Sequence, residues 1–395
     1  MTKQVLIAGG GIGGLAAALA CSRAGWQARV FERASEFSEV GAGIQMGPNV
    51  VRVLNSWDLA QGLASVAAFP ESLQARDAVS GAELGVLRLG AVAVQRYGAP
   101  YATIHRADLH RLLLQTLQQR EGVRLRLSQT VDSFAECDDV VLLRTGEGLE
   151  VEGDALIGAD GLWSRVREQL LNDGPPRVTG HLAYRALVPQ HSLPQHLRSQ
   201  QITVWLGPKL HVVQYPVCRG EWLNVVAIVQ GRFDGDLQSW DHSGTHAGEL
   251  RAVLAGACFA LQALVEAVPE WRLWALCDRP PLAGAAEMAL GHVALLGDAA
   301  HPMRPYLAQG AGMAIEDAAQ LGQVLARSID GIADVPSQLG SYAKSRWRRN
   351  ARVQQRSIRN GKIFHLEGAA RLARDTALKW LGERLLDVPW LYGGR

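Results

Sequence analysis

The sequence predicts an α/β chain, and three observations carry that prediction. The first thirty-two residues read as strand, glycine turn, helix and strand, the stretch from Thr179 to Gln230 is a run of short strands, and residues 341 to 385 are basic and helical in pattern. They describe a parallel sheet with crossing helices, a second domain on a mostly antiparallel sheet, and a helical C-terminal segment.

The N-terminal stretch is the most informative. Gln4 to Ala8 is a short, largely apolar strand, Gly9-Gly10-Gly11-Ile12-Gly13-Gly14 supplies G-x-G-x-x-G, and Leu15 to Ala24 is rich in Ala and Leu, both good helix formers. Gly9 permits the tight turn, Gly11 lets backbone approach a pyrophosphate at the helix N-terminus, and Gly14 lets the helix pack closely on the strand. Ile12 and Gly13 complete the loop. Ala28 to Phe31 forms the second strand and delivers Glu32, whose carboxylate can bind both hydroxyls of an adenosine ribose. A Rossmann-like dinucleotide site follows, with Arg33 beside it.

Composition narrows the rest. A length of 395 residues allows two domains, and 40 Lys+Arg against 38 Asp+Glu give a formal charge of +2. That balance speaks against nucleic acid or a membrane surface as a partner. No apolar run approaches the roughly 18 residues of a spanning helix. Met1-Thr2-Lys3-Gln4 leads straight into a strand, so the expectation is a cytoplasmic protein without a signal peptide. The five cysteines are scattered without C-x-x-C, which fits reduced thiols and no structural metal. His242 and His246 have the spacing of a helical zinc pair, but Ser243-Gly244-Thr245 between them is poor helix sequence and reads as a loop.

Along the chain, Gly41-Ala42-Gly43-Ile44-Gln45 forms a second glycine turn, where backbone can approach a flat ligand. Leu73 to Asp77 and Glu83 to Leu89 are β-like, and Tyr101 to Arg106 runs into a helix over Ala107 to Gln119. Val123 to Leu127, Ser133 to Phe134 and Val140 to Thr145 read as a β-meander. It leads to Ala155-Leu156-Ile157-Gly158-Ala159-Asp160-Gly161, a buried strand ending in Asp-Gly. Ala183 to Val188, Ile202 to Leu206, His211 to Pro216 and Trp222 to Val229 suggest one antiparallel sheet, with Trp205, Tyr215, Trp222 and Trp240 in or just after it. Glu249 to Val268 reads as helical. Val293 to Leu296 is a strand ending in Gly297-Asp298, and a loop through Gly310 opens a helix from Met313. The run Arg346, Arg348, Arg349, Arg352, Arg356 and Arg359 reads as a solvated helix face.

Gly9 to Gly14 with Glu32, Gly158 to Gly161 with Arg167, and Gly297-Asp298 through Gly310 stand in one order along the chain. This combination resembles the single-component flavoprotein aromatic hydroxylases, the p-hydroxybenzoate hydroxylase superfamily, over nearly the whole length. The resemblance implies FAD as resident cofactor in a GR2-type Rossmann-like domain, held by Gly9, Gly11, Ile12, Gly13, Gly14, Glu32, Arg33, Gly43, Arg106, Asp160, Asp298, Gly310 and Ala311. Residues 1–70, 101–178 and 279–340 would form that domain, 71–100 and 179–278 the substrate-binding domain, and 341–395 the C-terminal helical segment. NADH or NADPH would visit as a transient co-substrate, which fits the single nucleotide fingerprint. A homodimer is compatible with the sequence but not required by it.

Details such as Met46-Gly47-Pro48-Asn49, His211 to Pro216, Tyr306 to Asp317 and Trp390-Leu391-Tyr392-Gly393 resemble 3-hydroxybenzoate 6-hydroxylases most, with salicylate hydroxylases close behind. Gly312-Met313 and the short end at Gly393-Gly394-Arg395 depart from that pattern. The implied reaction inserts one atom of O2 into a small aromatic acid through a flavin C4a-hydroperoxide, converting 3-hydroxybenzoate to 2,5-dihydroxybenzoate. Salicylate decarboxylated to catechol, or a related N-heteroaromatic acid, is the alternative. Because the attacking oxygen is electrophilic, the phenol must ionise, and a histidine is suited to that at neutral pH. His211 is the candidate base, Gln309 would orient the hydroxyl, and Asp77, Tyr101 and Tyr215 would line the pocket. A plain NAD-binding dehydrogenase leaves the second and third glycine stretches unexplained. A flavin halogenase would need a Trp-x-Trp-x-Ile-Pro box, which Trp271-Arg272-Leu273-Trp274 does not supply. A non-catalytic flavin-binding protein is separated from an enzyme by substrate-stimulated NADH oxidation.

Overall fold

The computed structural model describes residues 2–37, 42–233, 235–237, 247–326 and 334–394. Gly41, Trp240, His242, His246 and Arg395 lie outside them. The chain forms two compact units: residues 1–40, 107–177 and 278–357 make the first, and 41–106, 178–277 and 358–395 the second.

The first unit is built on a six-stranded sheet. Its order is Ala289–Leu290, Val293–Leu295, Ala155–Gly158, Gln4–Ala8, Gln27–Phe31 and Val123–Arg126, all parallel except the first pair. Val5 through Ala8 are fully buried, as a strand covered on both faces requires. Helix Ile12–Arg23 is buried from Leu15 to Ala20 and packs on helix Gly310–Ala326. A side chain at Gly322 would come within 2.9 Å of the Ala20 carbonyl oxygen, so the missing Cβ lets the two helices approach closely.

The expected β-meander is divided between two sheets. Val123–Arg126 follows helix Arg106–Gln118 and pairs in parallel with Gln27–Phe31, closing a helical crossover onto the parallel sheet. Val131–Cys137, Val140–Thr145 and Glu150–Gly153 form a separate antiparallel sheet.

The second unit is built on a seven-stranded sheet in the order Arg272–Asp278, Arg177–Pro189, Trp222–Gln230, Leu210–Val217, Ile202–Gly207, Ser72–Asp77 and Glu83–Arg88. From Arg177–Pro189 to Glu83–Arg88 neighbouring strands run antiparallel, except that Ile202–Gly207 runs parallel to Ser72–Asp77. Ala247–Val253 and Phe259–Ala267 are two helices where the sequence suggested one, divided at Gly256-Ala257-Cys258. They cover one face through Leu250, Leu261, Leu264 and Val265, against Leu182, Tyr184, Val212 and Val225. Helix Gly368–Leu381 covers part of the other face, where Leu378 packs with Ala75, Leu84 and Leu206.

Residues 42–70 and 101–106 belong with this sheet, whereas the sequence reading grouped them with the nucleotide domain. Gly43–Met46 pairs with Ala102–His105, and the Thr103 hydroxyl donates to the Pro216 carbonyl at 2.5 Å. Those contacts tie the segment to strand Leu210–Val217. The long helix Val335–Phe364 gives residues up to Ser357 to the first unit and the remainder to the second.

The arginine run is not one solvated face. Arg346 is buried, donating from Nε to Asp317 at 2.7 Å, and Arg349 is held by Glu316 at 2.7 and 2.8 Å. Arg348, Arg352 and Arg359 are exposed. Their helix packs its inward side against Glu316 and Asp317, which are ion-pair partners deep in the unit.

Candidate active site

In the first unit, Gly9 has φ +99° and an added Cβ would stand 2.4 Å from the Ala159 carbonyl oxygen. At Gly14 it would stand 1.9 Å from the Gly9 oxygen, and at Gly13 3.1 Å from Leu296. The glycines hold strand, turn and helix at a distance no side chain tolerates. Gly11 is the extended N-cap of helix Ile12–Arg23 and offers no side-chain cap, so the helix N-terminus is presented as bare backbone N–H groups.

Glu32 sits at the mouth of this loop. Its Oε2 accepts from the Gly10 N–H at 2.7 Å and its Oε1 from the Ala34 N–H at 2.9 Å. A carboxylate oxygen has a second acceptor site, so both remain capable of taking a ribose hydroxyl. His110, buried, bonds the Gly10 carbonyl at 2.8 Å and braces the turn from beneath. These features fit the ADP half of FAD: a loop without side chains for the pyrophosphate and an aimed carboxylate for the ribose. Arg33 is exposed at the edge.

Asp160 has a structural task visible in its bonds. Its carboxylate accepts from the Ser164 hydroxyl at 2.5 Å and from the Arg165 and Val166 N–H groups at 2.8 and 3.2 Å, capping helix Arg165–Leu171. Arg167, buried, donates to the carbonyls of Ala299 and Ala300 at 3.1 and 2.6 Å and to Asp173 at 2.6 Å. It thereby fixes the turn that carries Asp298, which is exposed. Gly310 opens the next helix, where an added Cβ would stand 3.9 Å from the Asp298 carboxylate, with Ala311 beside it. Gln309 is buried, and its carbonyl accepts from the Met313 N–H at 2.8 Å.

Below that helix lies a charged core. Asp317, fully buried, accepts from His301, Arg346 and Asn350. Burial alone would raise its pKa, but His301 and Arg346 hold the carboxyl far below the ordinary range.

The second unit arranges its residues by register. Residues paired across adjacent strands share a face, and neighbours along a strand alternate. Asp77 pairs with Leu206, Leu206 with His211, His211 with Ile228 and Ile228 with Ala183, while Val213 pairs with Val226 and Val226 with Arg185. Tyr215 pairs with Asn224. Asp77, His211, Tyr215, Asn224 and Arg185 therefore stand on one face, opposite the helices of residues 247–267. At Gly43 an added Cβ would meet the Tyr215 ring at 2.6 Å and Asn224 at 2.7 Å, and its N–H donates to Asn224 Oδ1 at 2.7 Å. The glycine is what lets that ribbon lie against the tyrosine. Arg106 ends the ribbon, its N–H bonded to the Ala42 carbonyl at 2.8 Å.

The face is chemically uneven. His211 is 1 % exposed, and burial together with the neighbouring His365 and His181 pushes its pKa well below the usual histidine value. It is a neutral imidazole at pH 7. Tyr215 is buried and its phenol is pushed up by that burial, against the pull of Arg185. Tyr101 donates to Gln45 at 2.9 Å and lies edge-on to Tyr392. Asp77 is committed: Oδ1 accepts from the Val79 and Ser80 N–H groups at 2.7 and 2.8 Å, and Oδ2 faces Arg371 at 3.3 Å. Burial opposes its charge, yet those donors hold its pKa below the ordinary value. Its contacts are those of a turn and ion-pair residue.

Sequence reasoning missed Arg185, Asn224, His181 and His365. Arg185 stacks 3.9 Å over the Trp274 ring and has no carboxylate partner among the described residues. Burial pushes its pKa down to about 10, Tyr215 opposes the shift and Arg106 adds to it. Its signal was available, a charge inside the apolar alternation from Ala183 to Val188. His365 bonds His211 across 154 positions, 2.8 Å between His365 Nε2 and His211 Nδ1, and no local pattern announces such a contact.

Among the described residues no cluster of three or more metal-ligating side chains occurs, and no helix is long and apolar enough to cross a membrane.

Residues 2–357 match the family model described as FAD binding domain. The chain is 38 % identical over 393 residues to a 3-hydroxybenzoate 6-hydroxylase of Polaromonas naphthalenivorans strain CJ2, covering 98 % of this chain and 95 % of that protein. It is also 38 % identical over 359 residues to a 6-hydroxynicotinate 3-monooxygenase of Bordetella bronchiseptica, covering 90 % of this chain and 91 % of that one. The crystal structure of Klebsiella pneumoniae HpxO complexed with FAD and uric acid superposes with a TM-score of 0.85 at 26 % identity, over 97 % of this chain and 94 % of the other.

Proposed function

The chain belongs to the FAD-dependent aromatic monooxygenases, and we propose that within them it hydroxylates 3-hydroxybenzoate at the position para to the hydroxyl, giving 2,5-dihydroxybenzoate. NADH or NADPH supplies two electrons, one oxygen atom enters the ring, and the other leaves as water. FAD, when bound, supplies the activation of O2; the protein supplies binding, orientation and control of protons.

The observation that carries this reading is the face shared by His211, Tyr215 and Arg185. A neutral imidazole can take the phenolic proton, and a guanidinium without a carboxylate partner among the described residues favours an anionic aromatic ligand. Both serve the same end, because a phenolate oxygen enriches the carbon opposite it. Gln309 would orient the hydroxyl, and Tyr101 and Tyr215 would bound the ring. Asp77, through its turn and Arg371, would hold the strand end that carries this face. In the first unit Gly9 to Gly14, Glu32 and the turn at Asp298 would hold the cofactor.

The test is a screen of aromatic acids with purified, FAD-loaded protein, following NADH oxidation and identifying products by chromatography. 2,5-Dihydroxybenzoate from 3-hydroxybenzoate supports the reading. The 38 % identity over 359 residues to a 6-hydroxynicotinate 3-monooxygenase makes an N-heteroaromatic acid the second reading. Turnover of 6-hydroxynicotinate, or of salicylate to catechol, with none of 3-hydroxybenzoate would replace the first.

A further inference from the structure

The second unit holds three histidines in a row, and the reaction as stated uses His211 alone. His211 Nδ1 and His365 Nε2 are 2.8 Å apart, with ring centroids at 5.1 Å. His181 stands on the other side of His365, centroid to centroid 5.0 Å. Exposure rises along the row, from 1 % at His211 and 5 % at His365 to a partly exposed His181.

We propose that His365 is the second carrier of a proton relay, taking the proton that His211 removes from the phenol and passing it by way of His181 to solvent. The proposal rests on His211 being the base.

Chemical mismatch is the first argument. A phenol ionises near pH 10, while the buried His211 imidazolium is stable only well below 6.5. Such a base can accept the proton but cannot keep it. The charges acting on His365 have the same sense, because burial, His181 and Arg374 all disfavour its cation and push its pKa down to about 3. Arg374 is fixed there, donating to the carbonyls of Ile363 and Phe364 at 3.2 and 2.7 Å and paired with Asp375 at 2.7 Å. The other charges facing this corner are paired among themselves: Arg371 with Asp77 and Asp375, and Lys209 with Glu367.

Geometry supplies the second argument. With His211 protonated on Nδ1 and His365 on its own Nδ1, the bond between them is N–H to N, and each ring is neutral. The phenol O–H breaks as an N–H forms at His211 Nε2. The Nδ1 proton of His211 moves to His365 Nε2, and the Nδ1 proton of His365 leaves toward His181 through a water. Phenolate remains and both imidazoles end neutral in the opposite tautomer, so neither buried ring holds a charge at the end of the transfer. Return of a proton along the same path resets them. Phe364, edge-on to His211 at 5.3 Å, keeps the first ring in line.

The experiment uses the FAD-loaded enzyme with 3-hydroxybenzoate as probe and follows the phenolate absorbance on mixing by stopped flow. Flavin reduction by NADH and the melting temperature are recorded in parallel as checks on fold and cofactor. In His365→Gln, whose amide oxygen can still accept from His211, phenolate formation should slow at least tenfold. In His365→Ala it should slow likewise and recover with added imidazole but not with sodium chloride at equal ionic strength. Wild-type rates in His365→Gln, or a slowed His365→Ala that imidazole does not rescue while His365→Gln is fast, would overturn the relay and leave His365 a packing residue. His211→Asn separates this failure from that of the parent reading: if it ionises the probe as fast as the wild type, His211 is not the base.

Discussion

Replacing Glu32 tests the cofactor site through a geometry that distinguishes a carboxylate from an amide. Both oxygens of Glu32 already accept protein N–H groups, Gly10 at 2.7 Å and Ala34 at 2.9 Å, before any ribose is considered. Alanine removes the acceptors for both ribose hydroxyls. With hydrogen bonds to charged groups worth about 1.5–3 kcal/mol each, and water replacing part of that at a partly exposed residue, FAD binding should weaken by about 1 to 3 kcal/mol, roughly 5- to 150-fold. Glutamine would normally be the mild change. Here its NH2 group must face one of two N–H donors, so Glu32→Gln should bind FAD no better than Glu32→Ala and should melt lower as apoprotein than the wild type. Titration of apoprotein with FAD, followed by quenching of flavin fluorescence, reads the affinity, and thermal unfolding reads the stability. Wild-type affinity in Glu32→Ala would remove Glu32 from the site. Near wild-type affinity in Glu32→Gln alone would show that the two amide contacts do not matter.

Three further outcomes follow from the geometry. Gly14→Ala puts a Cβ 1.9 Å from the Gly9 oxygen, between two backbone segments, so the variant should fail to retain FAD and should lose solubility or melt far below the wild type, as read by flavin content and calorimetry. His211→Ala should lower hydroxylation by about 10²- to 10⁴-fold while NADH oxidation persists and ends in H2O2, measured as product against peroxide; coupling as tight as the wild type would make it a core residue. Acid stability should fall in two parts. His365 binds its proton near pH 6.5 when unfolded and only near 3 when folded, so stability is lost from about pH 6.5 downward; the depressed carboxyl of Asp317 adds a loss that starts below about pH 4. His365→Gln should reduce the upper part, leaving the share of the equally buried His211, and Asp317→Asn the lower, the latter at a cost of about 1.5–3 kcal/mol at neutral pH because the buried Arg346 loses its bond to Asp317 and keeps Glu316. Urea titrations from pH 3 to 8 separate the two.

The first unit was legible because its constraints are local. A strand, five glycines within six positions and a carboxylate eighteen residues on are read directly from the chain, and each has a steric or hydrogen-bonding consequence nearby. The face bearing His211 and Tyr215 was partly legible, since four positions along a strand return to the same side. Arg185 was not, because joining it to them needs the pairings of Val226 with both Val213 and Arg185, which only the folded sheet supplies. The arginine run failed for a related reason. A helix pattern tells which residues share a side but not what covers it, and Glu316 with Asp317 turn two of those arginines inward.

Two features of the second sheet become connected once its electrostatics are considered. Arg185 has a guanidinium that burial makes harder to keep charged, with Arg106 near enough to add to the strain and the Trp274 ring stacked against it. An anion on that face would relieve both, so on the proposed reading the carboxylate of an aromatic acid and the phenolate formed from it would each be stabilised by the same cation. His211 lies on that face, yet its neighbours His365, His181 and Arg374 make a lasting imidazolium unfavourable. On the proposed reading the positive charge would be fixed where the substrate becomes negative, and excluded where the proton passes. If that division is correct, Arg185→Met should raise the KM for hydroxybenzoates and shift the pKa of the bound phenol upward, while a neutral analogue such as 3-hydroxybenzamide shows the second effect without the first. An unchanged phenol pKa in Arg185→Met, measured by absorbance of the bound substrate across pH, would show that the guanidinium does not act on the ring.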